Sequence, residues 1–511
     1  MNKDVTQIKR ALISVSNKEG IVDFAKDLNE LGVEIISTGG TFKTITDAGI
    51  PAVEISDYTS FPEMMDGRVK TLHPLVHGGI LGLRDEHAEV AQDNNIKWID
   101  LVVINLYPFS ETIQKEGVTD DEAIENIDIG GPTMIRSAAK NIGWCGVVVD
   151  PNDYSPLLDE LKADGLTFET RKKLSAKSFG HTAAYDTIIH NHFKNKKFSE
   201  DFSLTYTKHY DLRYGENPHQ EAAVYIEPNN TENNLLNAKI HQGKQLSYNN
   251  LNDADGALAT LREFTDPACV VVKHANPCGV ATGENITEVF KQAYDADALS
   301  AFGGVIAINR PCTPEIAQEI VSVFAEIVLA PSYEEGSLEI LAKKKNMRVL
   351  ELGVMKAIEN KQETKYIDGG LLVQDIDIKT IEKSDLKVVT KKQPTEEEID
   401  TMLFAWKVLK HVKSNGILTA KNNVTLGIGP GQVSRVDAVD IAISKSGEQI
   451  NGSILAPDAF FTFRDSIDKI AAAGITTIIQ PGGSINDEEV IAACNELDVA
   501  MVFTGSRCFK H

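Results

Sequence analysis

The chain has 511 residues, which predicts two to four domains at about 150 residues each. Hydrophobic residues make up 42% and charged residues 24%, which is typical of folded proteins and too apolar for a disordered chain. The 51 Lys and Arg against 74 Asp and Glu give a net charge of −23. This charge argues against a general nucleic-acid binder, which needs a broad basic surface, but a few cations and backbone amides could still bind a small anion.

The six cysteines are scattered and form no CxxC pair. Such usage fits reduced thiols better than a disulfide framework, so we expect a cytoplasmic protein. The sequence contains no run of about 18 apolar residues, so we expect no membrane span. Residues 1–10 lack the apolar segment of a signal peptide.

Strands and helices alternate in the first half of the sequence. Apolar residues at helical spacing predict a helix that begins at Ile21 and stops near Gly32, and a second short helix should end near Gly49. Short apolar segments predict strands at 11–15, 33–37, 101–105 and 146–149. This alternation predicts a parallel sheet covered by helices.

A polar, charged stretch that begins at Phe193 divides the sequence in two. We place the domain boundary there, with one domain at 1–198 and the other at 199–511. Apolar strands resume in the second half, for example at 269–272 and 476–479. Near 390 the sequence turns polar again, which makes this a candidate subdomain break.

A helix should begin just after that polar stretch, because Thr395 and Glu398 have capping-box spacing. Two weak internal similarities also occur in the second half. The segment 272–276 is similar to 412–415, and 298–304 is similar to 459–465. An internal duplication and chance similarity both explain them, and the sequence leaves the two interpretations open.

Two predicted strand ends carry the same kind of polar sequence, Ser16-Asn17-Lys18-Glu19 and Thr38-Gly39-Gly40-Thr41. A capped helix and a tight turn are the purely structural interpretations. Alternatively, backbone amides, hydroxyl groups and the lysine could bind a phosphate. Their position after neighbouring strands favours the phosphate site, because ligands bind at such ends in open α/β sheets.

Further polar residues could reach the same edge of the sheet. Arg68-Val69-Lys70-Thr71 adds two cations and a hydroxyl, Asn105 and Tyr107 follow a predicted strand, and Asp128 precedes a glycine pair. Lys140 lies downstream at helical spacing. A solvated loop for 68–71 and a surface position for Lys140 are the alternatives.

Several motifs of other enzyme classes are incomplete. His73 and His77 have the spacing of a metal pair, but Pro74 lies between them and no third ligand is evident. The segment 87–89 matches half of a zinc deaminase signature, yet no PCxxC follows it. The segment 427–431 reads GxGxG and contains a proline, which disfavours a dinucleotide loop, and there is no Walker A sequence. We therefore expect no catalytic metal.

The apolar segment 270–272 runs directly into Lys273 and His274. Partial burial would lower the lysine pKa, and histidine titrates near neutrality, so this position favours a catalytic pair over incidental loop residues. Arg435 is a candidate cation for a phosphate or carboxylate. The aromatic residues at 460–463 could stack a planar heterocycle or fill the core.

Taken in order, these motifs resemble the bifunctional purine-biosynthesis family that combines AICAR transformylase with IMP cyclohydrolase. The resemblance covers essentially the whole chain. It rests on the segments 14–18, 37–41, 66–74, 105–109, 128–131, 212–220, 273–274 and 506–511.

The resemblance implies an α/β protein with a methylglyoxal-synthase-like, Rossmann-type N-terminal domain. It implies a C-terminal transformylase built from two cytidine-deaminase-like subdomains without their zinc. A cytoplasmic homodimer is implied, with transformylase sites shared between subunits. The implied small molecules are AICAR and the co-substrate 10-formyltetrahydrofolate, and neither nucleic acid nor a membrane is an expected partner.

In that family the transformylase moves a formyl group from 10-formyltetrahydrofolate to the 5-amino group of AICAR. This amine is conjugated with the imidazole ring and needs a base, which we assign to His274. Lys273 is the cation for the tetrahedral intermediate and Asn415 a neutral donor. The resemblance places these residues at AICAR: Arg213, Tyr214, Gly303, Glu326, Arg435, Phe460 and Arg507. It places these residues at the folate: Val436, Asp465, Ser484 and Ile485.

Two details qualify that assignment. Arg213 and Tyr214 would come from the partner subunit. Glu326 stands where the family can carry the shorter aspartate, which changes the reach of that carboxylate.

The cyclohydrolase closes the ring of formyl-AICAR and expels water to give IMP. We assign proton transfer to Lys140, supported by Lys70, Tyr107 and Asp128. The resemblance places these residues at the substrate: Ser16, Asn17, Lys18, Thr38, Gly39, Gly40, Thr41, Arg68, Val69, Thr71, Ile104, Asn105 and Ile129.

Two other functions remain to be weighed. A non-catalytic nucleotide or folate sensor would not need Lys273, His274 and Lys140, and all three are present. An enzyme with one activity would not need candidate residues in both halves. The sequence therefore favours the bifunctional enzyme.

Overall fold

The computed structural model describes residues 2–356 and 361–511. Its contacts divide the chain into two compact units. The N-terminal unit comprises Met1–Thr207 with Ile226–Asn230, and the C-terminal unit comprises Lys208–Tyr225 with Thr231–His511. The division falls slightly beyond the predicted boundary at 198/199.

The N-terminal unit is built on one five-stranded parallel sheet in the order β3-β2-β1-β4-β5. Its strands are β1 (Arg10–Val15), β2 (Glu34–Ser37), β3 (Val53–Glu54), β4 (Leu101–Asn105) and β5 (Gly146–Val148). The parallel sheet and four of these strands agree with the prediction, and the short β3 was not foreseen.

Ten helices surround this sheet. They are α1 (Ile21–Glu30), α2 (Gly39–Asp47), α3 (Ile55–Thr59), α4 (Pro74–Leu81), α5 (Ala88–Asp93), α6 (Phe109–Thr112), α7 (Asp120–Glu125), α8 (Gly130–Lys140), α9 (Tyr154–Ala163) and α10 (Phe168–Phe193). Side chains alternate across each strand. In β4, Leu101 and Val103 join one core with α1 and α9, while Val102 and Ile104 join another with α4, α8 and α10.

The C-terminal unit contains one twelve-stranded sheet. Its first half is formed by β8 (Lys239–Gln242), β9 (Ala268–Lys273), β10 (Asn276–Thr282), β11 (Gly304–Ile308), β12 (Ala325–Ala330) and β13 (Arg348–Glu351). Its second half is formed by β16 (Lys387–Val388), β17 (Ile417–Lys421), β18 (Val424–Gly429), β19 (Ile454–Pro457), β20 (Thr477–Gln480) and β21 (Ala500–Phe503).

Helices cover both faces of this sheet. In the first half they are α11 (Tyr248–Leu261), α12 (Ile286–Asp295), α13 (Ala298–Ala301), α14 (Pro314–Ser322) and α15 (Ser337–Leu341). In the second half they are α16 (Glu396–Leu409), α17 (Arg435–Ser446), α18 (Arg464–Ala472) and α19 (Asp487–Glu496). One core lies under α11 and α16, and two separate cores lie on the opposite face.

Two small hairpins complete the strands. They are β6 (Thr207–Leu212) with β7 (Ala222–Ile226), and β14 (Gln362–Ile367) with β15 (Gly370–Asp375). Among the described residues, no helix combines the length and apolar character needed to cross a bilayer.

The two halves of the large sheet are copies of one topology. The order is β8-β13-β12-β11-β9-β10 in the first half and β16-β21-β20-β19-β17-β18 in the second, and β10 pairs with β18 between them. In each copy a hairpin precedes three parallel strands, and the outermost strand is antiparallel. The structure therefore shows the internal duplication that the sequence left open.

The weak sequence similarities do not follow this duplication. The segment 272–276 spans the hairpin turn after β9, whereas 412–415 precedes β17, which is the counterpart of β9. The segment 298–304 precedes β11, whereas 459–465 follows β19, the counterpart of β11. Both similarities are therefore coincidental.

Two further expectations need correction or refinement. The candidate break near 390 lies inside the second copy, because β16 at Lys387–Val388 already belongs to it. The helix predicted after that point does begin with a capping box of Thr395 and Glu398. Ser16 and Glu19 form no such box, since α1 begins later, after Gly20.

Candidate active sites

A cavity of about 580 Å³ opens at the carboxyl ends of β1, β2 and β4 in the N-terminal unit. Most of the residues predicted for the cyclohydrolase line it: Ser16, Lys18, Thr38, Gly39, Gly40, Thr41, Arg68, Lys70, Thr71, Ile104, Asn105, Tyr107, Asp128 and Ile129. Strand ends of a parallel sheet meet at one edge, which explains why sequence-distant segments converge here.

The start of α2 forms one wall of this cavity. Thr38 is the N-cap, so the amides of Gly39 and Gly40 lie in the first turn, where a helix favours an anion. Lys18 Nζ donates to Thr41 Oγ1 at 3.1 Å, and burial lowers the pKa of this lysine. Amides and an ammonium group thus face the same space.

Asn105 shapes the loop beside that wall. Its Oδ1 accepts hydrogen bonds from the backbone N–H groups of Ser16 at 2.5 Å and Asn17 at 2.9 Å. Its Nδ2 donates to the Asn17 carbonyl at 3.0 Å. Asn105 therefore fixes the Ser16–Asn17 backbone, and the Asn17 side chain itself is exposed and does not line the cavity.

An acid, a phenol and a second ammonium group also line the cavity. Burial raises the pKa of Asp128. Hydrogen bonds from the Gly131 and Tyr107 backbones and the charge of Lys70 lower this pKa, but the effect of burial is larger. Burial also raises the pKa of Tyr107, and the charge of Asp128 adds to that effect. A Cβ built on Gly39 would lie 3.4 Å from Lys70 Nζ, so the ammonium reaches the start of α2.

Close packing around Asp128 explains the glycine pair that follows it. Asp128 Oδ1 accepts from the Gly131 N–H at 2.8 Å, and a Cβ on Gly131 would lie 2.6 Å from Asp128 Oδ2. Tyr185 on α10 also holds this loop, because its hydroxyl accepts from the Asp128 N–H at 2.8 Å. The sequence analysis missed Tyr185, which carries no local motif.

The structure separates Lys140 from this group. Lys140 is the last residue of α8, exposed, and about 15 Å along the helix axis from Gly130, where α8 meets the cavity. Proton transfer by Lys140 in this cavity is therefore at odds with the geometry. Val69 does not line the cavity either, and Arg68 pairs with Glu125 at its exposed rim.

In the C-terminal unit, Lys273 and His274 lie at the hairpin turn between β9 and β10. Lys273 Nζ donates to the carbonyls of Phe302 at 3.2 Å and Gly303 at 2.9 Å. Gly303 has φ of 71°, and a Cβ there would lie 3.0 Å from the Phe324 ring. These contacts bring two predicted residues, Lys273 and Gly303, together and explain the glycine.

Glu326 lies on the strand beside Gly303, at the start of β12. Its Oε2 accepts from Asn250 Nδ2 at 2.9 Å and lies 3.7 Å from Arg348 Nη1. Burial lowers the pKa of Arg348, while the charges of Glu326 and Tyr214 oppose that effect. Arg348 is thus a charged neighbour of Glu326 that could not be predicted from the sequence.

A second group surrounds Asn415 and Arg435. Arg435 donates to Asn415 Oδ1 at 2.8 Å and to Asp458 Oδ1 at 2.5 Å. The Asp458 side chain is completely buried and also accepts from the Gly416 N–H at 2.9 Å. Asn415 Nδ2 donates to the carbonyls of Gln432 at 2.9 Å and Val433 at 3.0 Å, so donation to a substrate would require one of these bonds to break.

Asn276 joins the two groups. Its Nδ2 donates to the His274 carbonyl at 3.1 Å, and its Oδ1 accepts from the Lys413 N–H at 3.2 Å. Lys413 lies two residues before Asn415 in the sequence. The candidate base and the candidate neutral donor are therefore on neighbouring segments at the junction of the two copies.

The remaining predicted residues follow strands of the second copy at the same edge of the sheet. Val436 lies in the first turn of α17, Asp465 in the first turn of α18, and Ser484 and Ile485 between β20 and α19. Phe460 and Ile485 are exposed.

Two predicted arginines also lie on the surface. Arg213 is exposed with its guanidinium over the Tyr214 ring, and Arg507 is exposed over the Phe509 ring. No group of three metal-binding side chains occurs in the described part of the chain.

Comparison with known proteins identifies the family of the chain. Residues 20–133 match the MGS-like domain family, and residues 138–445 match the AICARFT/IMPCHase bienzyme family. Three relatives bear the name bifunctional purine biosynthesis protein PurH. The relative from Acetivibrio thermocellus is 54% identical over 513 residues, and those from Anoxybacillus flavithermus and Bacillus subtilis are 53% and 50% identical over 511 and 510 residues.

These alignments cover 99%, 98% and 99% of this chain and 100% of each relative. The family match over residues 20–133 confirms the MGS-like N-terminal domain that the resemblance implied. The chain therefore belongs to the AICARFT/IMPCHase bienzyme family of bifunctional purine biosynthesis proteins.

Proposed function

We propose that the N-terminal cavity cyclises formyl-AICAR to IMP and that the sheet edge of the C-terminal unit transfers the formyl group to AICAR. The observation that carries this proposal is the N-terminal cavity. An anion cradle at the start of α2, Asp128 and Tyr107 line one space, and the Lys70 ammonium lies near the start of α2 while its charge also acts on Asp128. A 5′-phosphate suits the cradle, and a reacting carbonyl suits the space beside Asp128 and Tyr107.

For ring closure, the carboxamide nitrogen attacks the formyl carbon and water leaves. Lys70 stabilises charge on the intermediate oxygen, because an ammonium group is effective in a site of low solvent access. Asp128 and Tyr107 move protons between the attacking nitrogen and the leaving oxygen. A raised pKa suits Asp128 to this work, since it holds a proton nearer to neutral pH than a solvated carboxyl does. Lys140 has no part in this mechanism.

For formyl transfer, His274 takes the proton of the AICAR 5-amine as the nitrogen–carbon bond forms. Lys273 stabilises the tetrahedral oxygen, and the bond to N10 of the folate breaks as the proton reaches that nitrogen. The co-substrate in this proposal is 10-formyltetrahydrofolate. Asn415 holds Arg435 through its Oδ1, so it orients the site even with both amide protons engaged.

Substrate binding in this proposal divides along the sheet edge. AICAR binds to Gly303, Glu326, Arg435, Phe460 and Arg507, and a second copy of the chain supplies Arg213 and Tyr214. The folate takes Val436, Asp465, Ser484 and Ile485. We therefore propose a homodimer, and light scattering of the purified protein measures its mass directly.

We further propose a cytoplasmic location, which the six free cysteines support, and no nucleic-acid partner, which the acidic net charge supports. Reduced thiols suit the cytoplasm, and a net charge of −23 disfavours nucleic acid as a partner. Fractionation of the cells that express the protein tests its location.

The decisive experiment follows AICAR and 10-formyltetrahydrofolate to tetrahydrofolate and IMP with the full chain. We expect both products from the wild type. Supplied formyl-AICAR should yield IMP without folate. A wild-type protein that binds AICAR but forms neither product would contradict the proposal and favour a sensor.

A further inference from the structure

The turn that carries His274 is conformationally costly. His274 and Ala275 both have left-handed backbone conformations, with φ of 53° and 57°. Residues with a Cβ avoid this region, and asparagine, aspartate and histidine enter it more often than the others do. The equivalent turn in the second copy, between β17 and β18, uses Asn422 and Asn423 with φ of 52° and 57°. The first copy thus keeps the same turn with a less suitable residue, Ala275, at its second position.

Asp253 on α11 supplies the contact that stabilises this turn. Its Oδ1 accepts the Ala275 N–H, which lies directly after His274, at 2.8 Å. The carboxylate therefore binds the amide of the second left-handed residue. Hydrogen bonds to a charged acceptor are stronger than those between neutral groups.

The helix is also shaped to approach the turn. Gly256 lies three residues after Asp253, on the same face of α11. A Cβ on Gly256 would lie 3.2 Å from the Ala275 carbonyl oxygen and 3.4 Å from Ala275 Cα. Asp253 holds the turn and Gly256 leaves room for it.

The electrostatic surroundings tie Asp253 to the proposed transformylase residues. Burial raises the pKa of Asp253, and the hydrogen bond from the Ala275 amide together with the charges of His274 and Lys273 act against that effect. The carboxylate therefore lies among the groups assigned to formyl transfer. Neither the sequence motifs nor the mechanism above uses it.

We infer that Asp253 is a positioning residue for formyl transfer, whose carboxylate holds the 274–275 turn in its left-handed form and so sets where the His274 ring stands relative to Lys273. This inference rests on the proposed formyl transfer. In the absence of the carboxylate the turn relaxes towards ordinary φ values, and the imidazole leaves its place at the sheet edge.

The test uses the full-length enzyme and compares Asp253→Ala, Asp253→Asn, and Asp253→Ala combined with Ala275→Gly. Steady-state formyl transfer gives kcat and the KM for AICAR, and cyclisation of supplied formyl-AICAR is the internal control. Ala275→Gly alone sets the reference for the double variant. Asp266→Asn makes the same charge change in the exposed loop between α11 and β9, and it should match the wild type.

We expect Asp253→Ala to lower kcat for formyl transfer on the order of 10- to 100-fold, with cyclisation unchanged. Asp253→Asn keeps an acceptor oxygen and should lose less. Glycine adopts the left-handed form without strain, so Ala275→Gly should restore a large part of the kcat that Asp253→Ala loses. A merely structural role would not produce this selective rescue.

Three results would overturn the inference. One is wild-type formyl transfer in Asp253→Ala, and another is a double variant no faster than Asp253→Ala. The third is an equal loss of both activities in Asp253→Asn, which would indicate general unfolding. A wild-type enzyme without formyl transfer would instead refute the proposed function, so the two failures are distinguishable.

Discussion

The two candidate sites lie at the ends of strands, but their construction differs. In the N-terminal unit, all strands are parallel, and their carboxyl ends together with the start of α2 enclose one cavity. In the C-terminal unit, most predicted residues of the second copy follow carboxyl ends of strands, whereas in the first copy His274 follows β9, Gly303 precedes β11 and Glu326 lies at the start of β12. The antiparallel pairing of β10 with β18 reverses the strand direction between copies.

This difference shows why one site is easier to foresee than the other. A parallel sheet brings every carboxyl end to the same edge, so polar residues after several strands predict one site. A duplicated, mixed sheet brings the carboxyl ends of some strands and the amino ends of others to the same edge. A site at such an edge can be predicted only once the pairing of the strands is known. The two sites should also fail independently when mutated.

The largest effect is expected for Lys273→Ala combined with His274→Ala. This variant loses the base and the cation of formyl transfer, and the rate should fall at least on the order of 10³-fold. Cyclisation of supplied formyl-AICAR should continue at the wild-type rate. Formyl transfer at the wild-type rate would show that the site has been assigned wrongly.

Asp458→Ala should have the largest effect on stability. It leaves the half-buried Arg435 without its carboxylate, and the loss of one member of a buried ion pair costs about 3–5 kcal/mol. Chemical denaturation measures this loss. Lys469→Ala removes the exposed pair with Asp440 and should cost at most about 1 kcal/mol. Equal effects of the two variants would contradict the role given to the buried pair.

Lys70→Met tests the other side of the comparison. It removes the ammonium group that faces the cavity while it keeps the length of the side chain. Cyclisation should slow on the order of 10²-fold, with formyl transfer retained. The measurement is IMP formation from supplied formyl-AICAR, and loss of both activities would indicate that the two sites are not independent.

Asp128→Asn should separate function from stability. Burial raises the pKa of Asp128, so the folded state favours the protonated carboxyl, and the stability this provides is lost as pH rises through the folded pKa. The neutral amide should therefore raise Tm at neutral pH and slow cyclisation. The Tm difference should shrink as pH falls from about 8 to about 4, and a difference that grows would contradict the burial argument.

Lys140→Met should have the smallest effect. Because Lys140 lies at the far end of α8 from the cavity, cyclisation should fall less than about 3-fold, within the range of a surface substitution. Cyclisation slowed by 100-fold would restore the role that the family resemblance implied. It would mean that the end of α8 contributes to another copy's site.

The predictions from sequence succeeded where local pattern and parallel strands decide the outcome. β4 has the predicted bounds of Leu101–Asn105, and α16 begins with the predicted capping box. The capped helix that was the alternative interpretation of residues 16–19 does not form there, because α1 begins after Gly20 and Asn105 from a distant strand binds the Ser16 and Asn17 amides. Tertiary contact overrides local spacing at that loop.

The sequence by itself determined the α/β class, the two-part organisation, the polar strand ends and the family, because these depend on periodicity and on ordered motifs. Only the tertiary structure decided that Lys140 lies outside the cavity, that the second unit is a duplication, and that Asp253, Asn276 and Asp458 hold the proposed transformylase residues. These contacts join positions far apart in the chain. Each of those side chains looks like an ordinary polar residue until folding shows which amides, charges and strands surround it.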